Sequence, residues 1–306
     1  MFVTVLICTR DRPASLRRTL DSLLIPANVA APDWELLVVS KDSTGETTSV
    51  CQAFQDKFPS HFKFLLQRTT GKSNGLNEGL AAARGEVIAM TDDDVTAAPG
   101  YLAGIRTVFS QPDVDAAQGR VLLDCEGGYP KWMDRQISLV MDAHDFGDQM
   151  LEWKRHIAGV NMIVRASVVS KIGGFRTDLG PGAAGTEFTE DSEFAERVQK
   201  AGLRAVYAPQ ITVYHHWPRE RLTKAYVKSR YFKVGRSVAL YRPLKVPLWR
   251  YALYVVKANL FAEVAAAWYR LRGEPAKALH GQCEARLDAG FLLQHRTLRR
   301  KKESRG

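Results

Sequence analysis

Apolar residues in the first third of the chain fall into short β-branched runs that alternate with stretches of helical period. Val3-Thr4-Val5-Leu6-Ile7-Cys8 predicts a buried strand. After the polar turn Thr9-Arg10-Asp11-Arg12 comes Pro13, a residue suited to the first turn of a helix. Leu16, Leu20, Leu23 and Leu24 share one face of that helix, which Pro26 ends. Residues 35–40 predict the second strand, followed by a polar loop over 41–48, a helix to Phe58 and a third strand over 62–67. Residues 73–84, rich in Leu, Ala, Asn and Glu, predict a helix ending before Gly85. The strand Val87-Ile88-Ala89-Met90 then leads into three consecutive aspartates, Asp92, Asp93 and Asp94.

Strands and helices that alternate at these lengths predict an α/β sheet covered on both faces, with ligands at the carboxyl ends of the strands. Thr9-Arg10-Asp11 and Asp92-Asp93-Asp94 both lie at such ends. Beyond residue 112 the pattern loosens, and residues 124–156 are the least regular. Order returns in an apolar run at 160–164, a helix over 191–200, and strands over 204–207 and 212–215. Two helical stretches follow Pro218, over 222–242 and 246–271. The second is strongly apolar, yet Arg250, Lys257, Glu263 and Arg270 leave no uncharged run near the ~18–20 residues that span a bilayer. Such a helix suits the interface of an anionic membrane leaflet, packing on the rest of the chain, or a homodimer.

Charge refines this division. The chain carries 43 Lys and Arg against 33 Asp and Glu, net +10. From residue 217 onward the counts are 21 basic and 6 acidic (net +15), which leaves 22 against 27 (net −5) for the first 216 residues. The basic character belongs to the tail, no aromatic and basic interleaving appears before it, and no nucleic-acid-binding signature is present, so a nucleic-acid partner is not expected. Cys8, Cys51, Cys125 and Cys283 have neither zinc-site spacing nor disulfide density, which with an apolar start followed by arginines predicts reduced thiols and a cytoplasmic protein.

Three adjacent carboxylates at a strand end repel one another unless a cation is present. Oxygen ligands suit Mg²⁺ or Mn²⁺, which keep positions open for substrate phosphates. A solvated acidic turn with Asp94 capping a helix is the structural alternative.

Further segments resemble, in order, family 2 of the inverting glycosyltransferases, which have the GT-A fold, over roughly residues 2–240. VTVLICTRDRPASLRRTLDSL is similar to the family's first strand, nucleotide-contacting loop and helix; GKSNGLNEGLAAARGEVIAMTDDD to its donor-side helix and metal strand. Gly159-Val160-Asn161-Met162, Gly173-Gly174-Phe175, Glu190-Asp191 with Arg197, Ala201 and Gly202, and the strand from Pro209 to His215 follow the acceptor half. The resemblance implies a Rossmann-like mixed sheet with helices on both faces and a C-terminal helical extension. The catalytic domain is expected over 1–217, with a nucleotide-sugar half over about 1–112 and an acceptor half over 113–217. A basic helical extension over 218–296 and a disordered tail over 297–306 complete the chain.

The resemblance also implies transfer of a sugar from a nucleoside-diphosphate sugar to an acceptor hydroxyl. The basic, aromatic tail predicts that the acceptor, a glycan or a lipid-linked molecule, is lipid-linked or sits at the cytoplasmic membrane face, as in cell-envelope polysaccharide or glycolipid assembly. Asp191, with Glu190 beside it, is the implied catalytic base, although an acid in a helix's first turn also complements the helix dipole. Asp92, Asp93, Asp94 and His215 are the implied ligands of Mn²⁺ or Mg²⁺. Thr9, Arg10, Asp11, Ser40, Asp42, Lys72, Asn77, Asp92 and Asp93 are the implied donor contacts. The family's usual acid at the end of the second strand is replaced by Ser40, with Asp42 two residues on. Uridine diphosphate is the implied nucleotide, and guanosine or deoxythymidine diphosphate stays open. The run Gly180-Pro181-Gly182-Ala183-Ala184-Gly185 suits a closing loop or a plain surface turn. A nucleotidyltransferase and a non-catalytic binder on the same sheet are the competing readings.

Overall fold

The computed structural model describes residues 1–31, 33–183 and 188–304, so Ala184 and Gly185 of the glycine-rich run, and the last two residues, lie outside the described residues. The chain opens with β1 (Val3–Arg10), α1 (Pro13–Leu23), α2 (Pro26–Val29), β2 (Trp34–Lys41), α3 (Glu46–Lys57) and β3 (Phe62–Leu66). It continues with α4 (Lys72–Ala82), β4 (Val87–Thr91), β5 (Val95–Ala97), α5 (Tyr101–Phe109), β6 (Ala116–Cys125) and α6 (Arg135–Val140). Then come β7 (Leu151–Glu152), β8 (Asn161–Arg165), α7 (Ala166–Ile172), α8 (Glu190–Lys200), β9 (Ala205–Trp217), α9 (Lys224–Val238), α10 (Leu248–Leu271) and α11 (Pro275–Glu303). Two compact units result. Residues 1–124, 142–178 and 190–216 form the first; residues 125–141, 179–189 and 217–306 form the second.

The first unit is a mixed sheet in the order β3-β2-β1-β4-β8-β6-β9-β5, with β7 paired to β9. β3, β2, β1 and β4 run parallel, while β8 is antiparallel to β4 with Met162 opposite Met90. The parallel strands read as continuous apolar runs because helices cover both faces. Alternate residues divide between the layers: Val3, Val5 and Ile7 pack with Leu16 and Leu20 of α1, whereas Leu6 packs with Leu37, Val39 and Leu76 of α4. β1 lies between β2 and β4, so the sheet order reverses at β1, and the crevice beyond its carboxyl end is where such sheets place ligands.

Two expectations change. The strands anticipated over 204–207 and 212–215 form one 13-residue strand, β9. Pro209 sits between the β7 pairing at Val206 and Tyr207 and the β5 pairing that begins at Val213, outside both of these ladders. Residues 297–303, read as a disordered tail, lie in α11, where Arg299 pairs with Glu303 one turn on (2.8 Å).

In the second unit α11 packs against α9 and α10. Its crossing with α9 relies on two glycines. A β-carbon at Gly235 would fall inside 3.0 Å of the Leu287 carbonyl, and one at Gly290 inside 3.0 Å of the Phe232 carbonyl, so the backbones approach as only glycine allows. Gly281, also in α11, has open space around it. Urea unfolding should therefore separate them: Gly290→Ala loses about 1–3 kcal/mol through overpacking, while Gly281→Ala gains about 0.5–1 kcal/mol from helix propensity.

Candidate active site

All the residues that sequence reading singles out for chemistry fall in the first unit. Asp11, at the end of β1, takes φ 51°, a left-handed conformation that Asp tolerates better than most residues. The turn separates two arginines. Arg10 is left 63% exposed, near only Asp11 (3.7 Å). Arg12 donates from one guanidinium nitrogen to Asp93 Oδ1 (2.8 Å) and Asp94 Oδ2 (2.9 Å). Thr9 donates its hydroxyl to Asp93 Oδ2 at 2.6 Å. The end of β1 thus holds the end of β4 through its polar side chains.

The three aspartates face different partners. Asp92 accepts from Lys72 Nζ (2.5 Å), and the same ammonium lies 3.8 Å from Glu190 Oε1 at the start of α8. Asp94 Oδ1 lies 3.4 Å from His215 Nε2, because β5 pairs antiparallel with β9 and sets Val95 opposite His215. His216 points to the other face, hydrogen-bonded to Asp124 (2.6 Å) and Thr96 (2.7 Å).

Burial and neighbouring charge push these groups apart in acidity. Burial and the Asp94 charge raise Asp93 to about 6, against Arg12 and Thr9. Burial also acts on Asp94, but the hydrogen bond and charge of His215, with Arg12, outweigh it and hold this carboxyl below the usual range. Burial depresses Lys72, and Asp92 and Glu190 more than offset that, leaving the ammonium firmly charged. His215 is likewise raised, burial being outweighed by Asp94. Glu190 is raised to about 7 by burial and by Asp191, against the pull of Lys72.

Asp191 is held by the backbone: Oδ2 accepts from the Gly159 amide (2.8 Å), and Oδ1 from the Ser192 amide (2.6 Å). A β-carbon at Gly159 would lie in ordinary contact with the Asp191 side chain, 3.4 Å from its Cβ and 3.5 Å from Oδ2. Thr189, just before α8, takes φ 77°, a strained conformation for a β-branched residue and of the kind that gathers at functional sites.

Other candidates have local tasks. Asn77 exchanges two hydrogen bonds with the Phe175 backbone (both 2.8 Å), which fastens α4 to the 173–175 turn. Arg197 supports that turn through the carbonyls of Ile172 and Gly174. Asp42 accepts from the amides of Thr44, Gly45 and Thr48, and Asp11 from Ser43, so both carboxylates organise the loop after β2. The Ser40 hydroxyl is buried and has no hydrogen-bond partner among the described residues.

Five carboxylates, Asp92, Asp93, Asp94, Glu190 and Asp191, therefore surround two cations, Arg12 and Lys72, with His215 beside them. Among the described residues no three His, Cys, Asp or Glu side chains converge as a metal cage. The four expected ligands are not drawn to one point, since Asp92 is turned to Lys72 and Asp93 is tied to Thr9 and Arg12. Asp94 with His215 remains as an oxygen and nitrogen pair. The local excess of negative charge and this pair fit a divalent cation that takes its other ligands from water and phosphate.

A family model described as "Glycosyltransferase like family 2" matches residues 2–232. The chain belongs to this glycosyltransferase family. It is 28% identical over 246 residues to the glucosyl-dolichyl phosphate glucuronosyltransferase of Haloferax volcanii, covering 78% of this chain and 76% of that protein. It is also 28% identical over 261 residues to the O-antigen biosynthesis protein RfbC of Myxococcus xanthus, covering 79% of this chain but only 19% of that much longer protein. Among solved structures it is similar to the mannosyltransferase PcManGT from Pyrobaculum calidifontis in complex with GDP-Man and Mn²⁺, with TM-score 0.63 and 20% identity over 95% of this chain and 86% of that one. GalNAc-T7 with UDP, GalNAc and Mn²⁺ matches with TM-score 0.55 and 14% identity, over 77% and 50%. These two likenesses establish the GT-A fold.

Two features of this glycosyltransferase escaped sequence reading. Arg12, not Arg10, meets the carboxylates, and the positive φ of Asp11 that decides between them leaves only a weak trace in sequence. The Gly159 amide holds Asp191 from 32 residues away. Removing the Arg12 charge leaves two buried carboxylates facing each other. Arg12→Ala should lose about 2–4 kcal/mol in urea unfolding without added metal, below the ~3–5 kcal/mol of a fully buried pair because Arg12 is 38% exposed.

Glu190 supplies a pH signature. Its folded form holds the proton to about 7, while the unfolded carboxyl releases it near 4.5, so raising the pH through that window removes stability. Glu190→Gln should flatten the fall in melting temperature between those pH values; an unchanged profile would show that Glu190 titrates normally.

Proposed function

We propose that the chain is an inverting, metal-dependent glycosyltransferase that passes a sugar from a nucleoside-diphosphate donor to an acceptor hydroxyl by a single displacement. The observation that carries this reading is the arrangement around Lys72. Its ammonium links Asp92 at the end of β4 to Glu190 at the start of α8, which sets the next residue, Asp191, near the cation-seeking end of the site. Asp191 takes the acceptor proton as the glycosidic bond breaks, its lone pairs oriented by the Gly159 and Ser192 amides. Glu190, protonated up to about pH 7, keeps a second negative charge off that corner.

Mn²⁺ or Mg²⁺ would be held by Asp94 and His215, with Lys72, placed by Asp92, as the cation toward the diphosphate, and when bound it would stabilise the charge that develops on the departing nucleotide. Asp93 stays with Thr9 and Arg12 and sets the position of its neighbours. Ser40, at the end of β2, stands in place of the family's acid on the donor side. Uridine diphosphate leads among the nucleotides, with guanosine and deoxythymidine diphosphate as alternatives; the complex of the archaeal mannosyltransferase supports the second. The dolichyl-phosphate substrate named for the Haloferax relative supports a lipid-linked or glycan acceptor, as in assembly of an envelope polysaccharide or glycolipid.

A thermal-shift panel of nucleoside diphosphates with and without Mn²⁺ tests the site, since a ligand that binds only the folded state raises the melting temperature. One diphosphate should stabilise the wild type in a Mn²⁺-dependent manner, and Asp94→Ala and His215→Ala should abolish the metal dependence. Asp191→Asn should keep that binding while losing about 10²–10⁴-fold in kcat. Full turnover by Asp191→Asn would remove the base assignment. Release of pyrophosphate instead of nucleoside diphosphate would mean nucleotidyl transfer.

A further inference from the structure

The second unit contains an apolar surface with no counterpart among the described residues. Around α10 every side is apolar, yet only one is covered: Val255, Ala262 and Ala266 are buried on the side toward α11. The opposite side carries Trp249, Leu253, Leu260, Phe261, Val264 and Trp268, all at least half exposed, with Phe261 at 74%. Spacings of 3 and 4 residues set most of them on one broad stripe along the 24-residue helix. A helix apolar all round is stable in water only when its outer side is also covered, and a stripe of this length far exceeds the scattered exposed apolar residues of ordinary surfaces.

Charge decides the occupant. At about 100° per residue Arg250 and Lys257 fall within the exposed stripe itself and Arg272 at its edge, all exposed, with Glu263 as the single acid of the helix. Long basic side chains beside an apolar face reach out to a polar layer while their stems lie along it. A second copy of this chain, paired antiparallel about a two-fold axis, would bring Lys257, near the middle of the stripe, close to its own image and lay Arg250 on the apolar far end of the partner helix. A layer of anionic headgroups above hydrocarbon meets both requirements, and the net +15 of residues 217–306 extends the attraction beyond the helix. No described helix is long and apolar enough to cross a membrane, so such a helix lies along the surface.

We propose that α10 is a membrane-interfacial helix, seated lengthwise in the headgroup boundary of an anionic leaflet through its Trp249 to Trp268 face. The proposal is independent of the catalytic assignment, because it concerns a separate unit and its test requires no turnover.

Flotation of the full chain decides it, using vesicles of phosphatidylcholine alone and vesicles with about 30% phosphatidylglycerol. The wild type should float with the anionic vesicles, less so in high salt, and weakly with the neutral ones. Leu260→Glu with Phe261→Glu, both exposed and so compatible with an unchanged melting temperature, should reduce binding at least about tenfold. Arg250→Glu with Lys257→Glu should weaken the preference for anionic lipid, leaving the part due to the rest of the basic region. Failure of the wild type to float, or equal flotation of the Leu260/Phe261 variant with its melting temperature preserved, overturns the proposal. So would a wild-type dimer in sedimentation that this variant dissociates without any vesicle binding, which would make the face a self-association surface.

Discussion

Carboxylates crowded at the ends of β4 and the start of α8 set the terms for the first unit. Five acids in a partly buried corner repel one another; two basic side chains hold four of them in register, and backbone amides hold the fifth, Asp191. Arg12, turned inward by the left-handed Asp11, bridges Asp93 and Asp94; Lys72, at the head of α4, bridges Asp92 and Glu190. The site is still short of positive charge, and that shortfall is what a divalent cation and its phosphate ligands would meet.

The same crowding explains why neighbouring residues of one type have different tasks. Asp93 and Asp94 are adjacent, but Arg12 and Thr9 tie down the first, while the second also faces His215. Asp191 and Glu190 are adjacent as well, yet the backbone amides at Gly159 and Ser192 reach only Asp191, leaving the buried Glu190 carboxyl to hold its proton longer. Environment, more than residue type, sorts the candidate base from its neighbour.

Much of this was legible in the sequence where local pattern and tertiary need coincide. The parallel strands β1, β2 and β4 are buried on both faces and so announce themselves as apolar runs, and the family motifs place the aspartates and the Glu190-Asp191 pair at element ends. What was not legible depends on contacts between distant segments. Arg10 and Arg12 look equivalent until the φ of Asp11 separates them. That Asn77 clamps the Phe175 turn and Asp42 organises its own loop is likewise invisible in the sequence, whose motifs single both out as donor contacts. The sequence shows β9 only as two short strands, since nothing local shows that the strand runs on through Pro209. The exposed stripe on α10 was visible only as apolarity, since which side α11 covers is a packing fact.

The most direct test of the central claim is the anomalous difference map of a crystal grown with Mn²⁺ and the nucleoside diphosphate that the protein binds. A manganese peak bonded to Asp94 and His215 and to the diphosphate, with Arg12 still on Asp93, is the predicted result. A peak elsewhere, or a diphosphate seated on Lys72 and Arg12 with no metal between it and Asp94, would contradict it.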